Sequence, residues 1–201
     1  MSSDFDYLTQ GIKEVENLNK HRVFVGSLLA TGNRTVEYNQ MIAEVQNNGA
    51  VIHPVTRQWL TIPMPVAGKR TAREINGLFW HVAKSGQKTL AKVENGKLVV
   101  YFLLTKEVKL PARPFIDVTA SKNVNKIANM VANGVVDIYL HKTTAGQIFD
   151  KIGKFLSIEM KREMVATNEP MNAKITQNNK GFNNPLLDTG ALQRSITWVV
   201  I

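Results

Sequence analysis

Asp188-Thr189-Gly190 invites comparison with the catalytic triplet of the aspartic proteases. Those enzymes need two carboxylates sharing one proton, brought together from two lobes or two subunits. The copy here precedes a short helical turn rather than an apolar loop between hydrophobic strands. It reads instead as a helix start, with Asp188 or Thr189 supplying the capping oxygen. His21, His53, His81 and His141 lie far apart and none has a His–His or His–carboxylate spacing on one helix face. His81, beside Trp80 on an apolar strand, reads as a core histidine. Ser195 lacks a GxSxG elbow, and Gly26, Gly32 and Gly49 are too widely spaced to cradle a phosphate. Cysteine is absent, which removes disulfides, thiolate nucleophiles and cysteine-based zinc sites together. The expectation is a protein without enzymatic activity, metal or cofactor.

The cations are more informative. Arg113 stands between Pro111 and Pro114, which lock their own φ and push their predecessors toward extended geometry, so the junction is stiff. A forked guanidinium held there satisfies carbonyl ends within the chain or pairs with a carboxylate across an interface. Lys69, Arg70, Arg73, Lys84, Lys88 and Lys92 face only Glu74 between residues 67 and 92. They read either as a surface turned toward DNA or an acidic partner ring, or as a solvated hairpin edge blunted by lysines.

The elements that position these residues follow from periodicity. Phe5, Leu8, Ile12, Val15 and Leu18 predict an amphipathic helix ending near Asn19-Lys20. Arg22–Leu29 predicts a strand, and Tyr38, Met41, Ile42 and Val45 a second helix stopped by Asn47-Asn48-Gly49. Gln58–Met64 reads as a strand and 68–76 as a loop. Leu78–Ala83, Lys88–Val93 and Leu98–Leu104 form a predicted meander, with turns at Ser85-Gly86-Gln87 and Asn95-Gly96. Leu98–Leu104, apolar on both faces, is expected to be an inner strand with cover on each side. Beyond Pro114, Val124, Ile127, Val131, Val135 and Ile138 share a helical face. A further helix follows a cap at Thr143-Thr144 and runs to about Thr167. Gly134 and Gly146 are expected to weaken these helices by about 1 kcal/mol each. Asn168–Asn184 is polar without apolar period and is expected to be a loop that orders only against a partner.

The chain ends in a strand over Ser195–Ile201, entered through Pro185 and the capped turn. Ile196, Trp198 and Val200 point to one side, and Thr197, Val199 and Ile201 to the other. Apolar residues on both sides require cover, in the core or in a contact with a neighbour.

The segment "NNPLLDTGALQRSI" resembles the closing motif of the bacteriophage virion-morphogenesis and tail-completion proteins, roughly pro-leu-x-asp-thr-gly-x-leu-x-x-ser-ile. It matches at Pro185, Leu186, Asp188, Thr189, Gly190, Leu192 and Ser195. "RVFVGSL" (22–28) followed by "MIAEVQNNGA" (41–50) is similar to that family's early strand and helix end. There, Gln46-Asn47-Asn48-Gly49 departs from the commoner asn-glu-phe-gly form. "KLPARPFI" (109–116) looks like its hinge, carried by Pro111, Arg113, Pro114 and Phe115.

At 201 residues, with 44% hydrophobic and 20% charged residues, the chain suits one domain of 1–201 with a β-rich elaboration at about 53–110. No run approaches the ~20 apolar residues of a membrane helix, and the N-terminus lacks a secretory pattern. Synthesis in the host cytoplasm with no membrane partner is the expectation. The 25 basic and 16 acidic residues leave a net charge of +9. That excess is shared almost evenly between the two halves of the sequence, with no polybasic arm. The expected fold is α+β, an antiparallel sheet with a β-meander extension and helices packed on one face, with Arg22–Leu29 and Ser195–Ile201 in the sheet. The resemblance implies a structural virion protein at the neck, the head–tail junction of a tailed phage. It would complete the tail or join tail to head as a subunit of a homo-oligomeric ring, a hexamer by the tail's six-fold symmetry. Head-closure and tail-tube proteins would be its neighbours, with nonspecific contact to DNA in the channel. The alternative, resting on charge alone, is a basic nucleic-acid-binding protein without a virion role.

Overall fold

A computed structural model describes the backbone of residues 2–201 and the side chains of residues 6–201. Phe5, the first member of the expected stripe, therefore has its side chain outside the described ones. The fold is α+β. Its contacts divide the chain into two compact units: residues 1–48, 113–167 and 186–201 in the first, and 49–112 and 168–185 in the second. The elaboration expected over 53–110 thus begins at Gly49, runs to Ala112 and takes in a second, distant segment.

In the first unit, helix α1 (Ser2–Asn17) precedes strand β1 (Val23–Ser27) and helix α2 (Val36–Asn48). Two long helices follow, α3 (Phe115–Tyr139) and α4 (Ala145–Ala166), and the unit closes with α6 (Ala191–Ser195) and strand β8 (Ile196–Val200). Strands β1 and β8 pair antiparallel from Val23 opposite Val200 to Ser27 opposite Ile196. Opposed residues share a face, so Val23, Val25, Trp198 and Val200 lie together, and α4 covers this side. On the other side Phe24 and Val199 face each other, 52% and 44% exposed. The two-sided apolarity of the last strand is therefore covered on one side only.

The α3–α4 pair depends on glycine. A Cβ at Gly134 would stand 2.5 Å from Ile148 Cδ1, so the glycine expected only to weaken α3 instead admits the facing helix. Around this crossing Ile138, Ile148 and Ile152 form a buried cluster with Val15, Leu18, Ile127, Met130 and Val131 against it. Val124, expected on the buried face, is 58% exposed. The covered stripe advances in four-residue steps through buried Phe115 and Thr119 and half-buried Asn123 and Ile127, which leaves Val124 to one side. Leu8 and Ile12 are likewise exposed, because α1 seats Gly11 against Tyr139. The Thr144 cap forms as a capping box: Thr144 Oγ1 accepts from Gln147 N at 3.3 Å and Gln147 Oε1 accepts from Thr144 N at 3.1 Å.

In the second unit β2 (Ala50–Ile52) pairs with β7 (Val108–Leu110). A four-stranded antiparallel sheet holds β3 (Leu60–Pro63), β6 (Lys97–Thr105), β5 (Lys88–Glu94) and β4 (Phe79–Val82) in that order. The β5–β6 turn places Asn95 and Gly96 at φ of 52° and 75°, the geometry of a tight hairpin. β6 is an inner strand, and a register shift opposite Leu90 and Ala91 lets its adjacent residues Tyr101 and Phe102 both enter one buried cluster with Ala67 and Ile75. The segment expected to be an irregular loop contains helix α5 (Lys174–Lys180), ended by left-handed Gly181. Polar bonds order it rather than apolar burial: Gln177 Nε2 donates to Asn172 O at 2.6 Å and Asn179 Nδ2 to Pro63 O at 3.0 Å.

Candidate functional site

The hinge residues form a clamp at the entry of α3. Arg113 is 3% exposed. Its backbone N–H donates to Gln46 O at 2.8 Å and its guanidinium to Gln46 Oε1 at 3.0 Å. Burial pushes the guanidinium below its ordinary range. Of the two roles open to it, Arg113 takes the intrachain one, since a side chain so enclosed does not reach a neighbour's carboxylate. Pro114 ends the extended junction at the N-cap of α3 without a side-chain cap of its own. Asn47 on α2 supplies the acceptor instead: its Oδ1 takes Ile116 N–H at 3.0 Å while its Nδ2 donates to Asp117 Oδ2 at 2.8 Å. The motif departure at Gln46-Asn47 is thus where α2 grips α3. Pro111 is exposed.

Phe115 begins the buried face of α3 and meets the closing motif there. It is 1% exposed and shares a cluster with Leu186, Leu192, Ile196, Met160 and Met164. Burying side chains of this kind contributes about 1.5–3 kcal/mol each. Ser195 is fully buried, with its Oγ 2.7 Å from Ser27 Oγ and donating to Leu192 O at 2.7 Å. Those bonds complete its hydrogen bonding inside the core, with no substrate-facing surface. Pro185 is also buried.

The expected cap at Asp188 or Thr189 is corrected. Gly190 occupies the N-cap of α6 at φ 74°, with no side-chain cap bond. That left-handed residue turns the chain so that Asp188 stays exposed. Thr189 Oγ1 takes only a long 3.4 Å contact from Ala191 N. Arg194 closes the turn by donating from Nη1 to Thr189 O at 3.0 Å.

The six expected basic residues separate. Arg70 is exposed but folds back on its own turn, donating to Ala67 O and Val66 O with its guanidinium 5.9 Å from the Tyr101 ring centre. Lys92 pairs with Glu94 at 3.5 Å, and Glu94 also accepts from Tyr101 Oη at 2.6 Å. This bond first, then the nearby cations, holds the Glu94 carboxyl below its usual range, and the same bond, with burial and the Glu94 charge, raises the Tyr101 phenol. Lys69, Arg73 and Lys84 are exposed. Lys88 alone enters an aromatic cluster, with Trp59, Trp80 and Lys106, the last missed from sequence. The signal was present in the tryptophans interleaved with lysines, but strand register is needed to join them. Trp59 Nε1 is buried with no acceptor, a cost of about 1–3 kcal/mol.

Charge follows the units rather than the halves of the sequence. The second unit holds 12 Lys and Arg against 4 Asp and Glu, the first 13 against 12. Nearly all of the +9 therefore belongs to the second unit.

The histidines are engaged separately. His21 Nδ1 lies 2.8 Å from Asn17 O, His53 Nδ1 3.4 Å from Lys106 O, His81 Nδ1 3.2 Å from Thr89 Oγ1, and the His141 ring stands edge-on to Tyr7. Among the described residues no three His, Asp or Glu gather as metal ligands, and no helix is long and apolar enough to cross a membrane. No family model, curated protein or solved structure matches the chain.

Proposed function

We propose that this chain is a structural subunit of a tailed-phage particle, acting in the neck to complete the tail or join tail to head as part of a hexameric ring. One observation carries the reading. The three family-like segments, scattered over the sequence, meet in the first unit: the early strand pairs with the strand that the closing motif enters, and Phe115 of the hinge shares one buried cluster with Leu186 and Leu192. Residues that resemble one family's motifs thus form one interlocking core. The work of such a subunit is assembly, by shape complementarity and ordered docking with head-closure and tail-tube neighbours. The open side of the β1–β8 pair, with Phe24 and Val199, offers apolar surface for contact with a second copy.

Particles made without this chain are expected to accumulate filled heads and unjoined tails, and electron microscopy of complete particles should place it at the neck. Normal infectious yield without it overturns the reading. A second reading, a nucleic-acid-binding protein without a virion role, is favoured by the charge of the second unit. Salt-dependent DNA binding by a protein that never forms rings and is missing from purified particles would select it.

A further inference from the structure

We propose that the sheet of the second unit carries a binding surface for single-stranded nucleic acid, built on Trp59, Trp80, Lys88 and Lys106. Trp59 stands one residue before β3, Trp80 lies in β4, Lys88 opens β5 and Lys106 follows β6. The two indoles meet edge to face with centres 5.9 Å apart. Lys88 Nζ stands 4.4 Å from the Trp59 ring centre and 5.8 Å from that of Trp80, and Lys106 Nζ stands 4.9 Å from Trp59.

Neither lysine forms an ion pair among the described residues. Two ammonium groups are therefore held on one indole without a carboxylate to neutralise them, and a phosphate answers that need. Trp80 and Lys88 share a sheet face, because Val82, two residues along from Trp80, is paired directly with Lys88. Trp80 is 48% exposed on the edge strand, so part of its ring is open to a ligand.

Single strands are held by a positive field that tracks the backbone and by aromatic faces on which unpaired bases stack. The second unit supplies the field through its excess of basic residues, 12 against 4 acidic. The exposed indole selects among polyanions. Bases inside a duplex are stacked on each other and cannot reach Trp80, and the carboxylates of an acidic protein have no ring to stack. This site does not depend on the virion reading and stands or falls separately.

The test is titration of the full chain with labelled oligothymidylate of about 15 nucleotides, a length that covers one site. Anisotropy and tryptophan fluorescence are followed at several salt concentrations. Binding with fluorescence quenching is expected, and duplex DNA and inorganic polyphosphate should compete poorly. Trp80→Ala should weaken binding about tenfold, with Trp80→Phe retaining most of the affinity and circular dichroism unchanged in both. Replacing Lys88 and Lys106 together by Gln should lower the slope of log affinity against log salt by about 1.4. Three results overturn the proposal: no binding at low salt, equal competition by polyphosphate, or affinity unchanged in a folded Trp80→Ala protein.

Discussion

Gly153 lies directly under the indole of Trp198. A Cβ at Gly153 would stand 2.4 Å from Trp198 Cδ1 and 2.8 Å from Val23 Cγ2. Trp198 Nε1 donates to Asp150 Oδ1 at 2.7 Å, one turn earlier on α4. The last strand is thereby fastened to the helix by a ring that only a glycine can receive.

Gly153→Ala tests this fit by its sign. In an exposed helix interior the change stabilises by about 1 kcal/mol. Here the methyl displaces a ring and a strand, and overpacking of that kind costs about 1–3 kcal/mol. Net destabilisation is expected in denaturant unfolding; a gain in stability would show that β8 yields freely.

Asn47→Ala removes the acceptor for Ile116 N–H and the donor to Asp117. A loss of about 1–2 kcal/mol is expected, the scale of a lost helix cap. Asn47→Asp keeps the acceptor but sets a carboxylate against Asp117, so its deficit should shrink as the pH falls below the carboxylate range.

Asp188→Ala should change stability by less than about 0.5 kcal/mol, since the side chain is exposed and caps nothing. Gly190→Ala should cost about 1–2 kcal/mol, because a side chain at φ 74° is strained. Its Cβ would also lie 2.9 Å from Arg194 Nη1. Equal effects at the two positions would return the cap to the Asp188 side chain.

The Glu94–Tyr101 bond predicts part of the acid response. Tyr101 Oη holds the Glu94 carboxyl below its usual range in the folded chain. A depressed folded value means this contribution is present above the ordinary carboxylate range and lost as pH falls through the folded value. Glu94→Gln should therefore flatten the acid limb of stability against pH, and Tyr101→Phe should do the same.

Local signals carried far in this sequence. Asn95-Gly96 announces its hairpin, Thr144 with Gln147 its capping box, and the alternating residues at 22–29 and 195–201 their strands, because each rests on neighbours a few residues apart. The α+β class follows from the same patterns. What lay beyond them required long-range pairing. Asn47 caps a helix that begins 68 positions later, and no helical period at either site records it. The cap expected of Asp188 failed for a related reason: the left-handed Gly190 sets the direction of the turn before any side-chain oxygen can.

Charge shows how far composition reaches. Counted by halves the basic excess is even, but residues 49–112 already hold 10 Lys and Arg against 3 Asp and Glu, and residues 168–185 add 2 against 1. Sequence alone determined the elements, their turns and the total charge, since these depend on residue type and short spacing. Only the tertiary structure decided which cations stand together and which tryptophans they cover, because strand register joins residues that the chain keeps far apart.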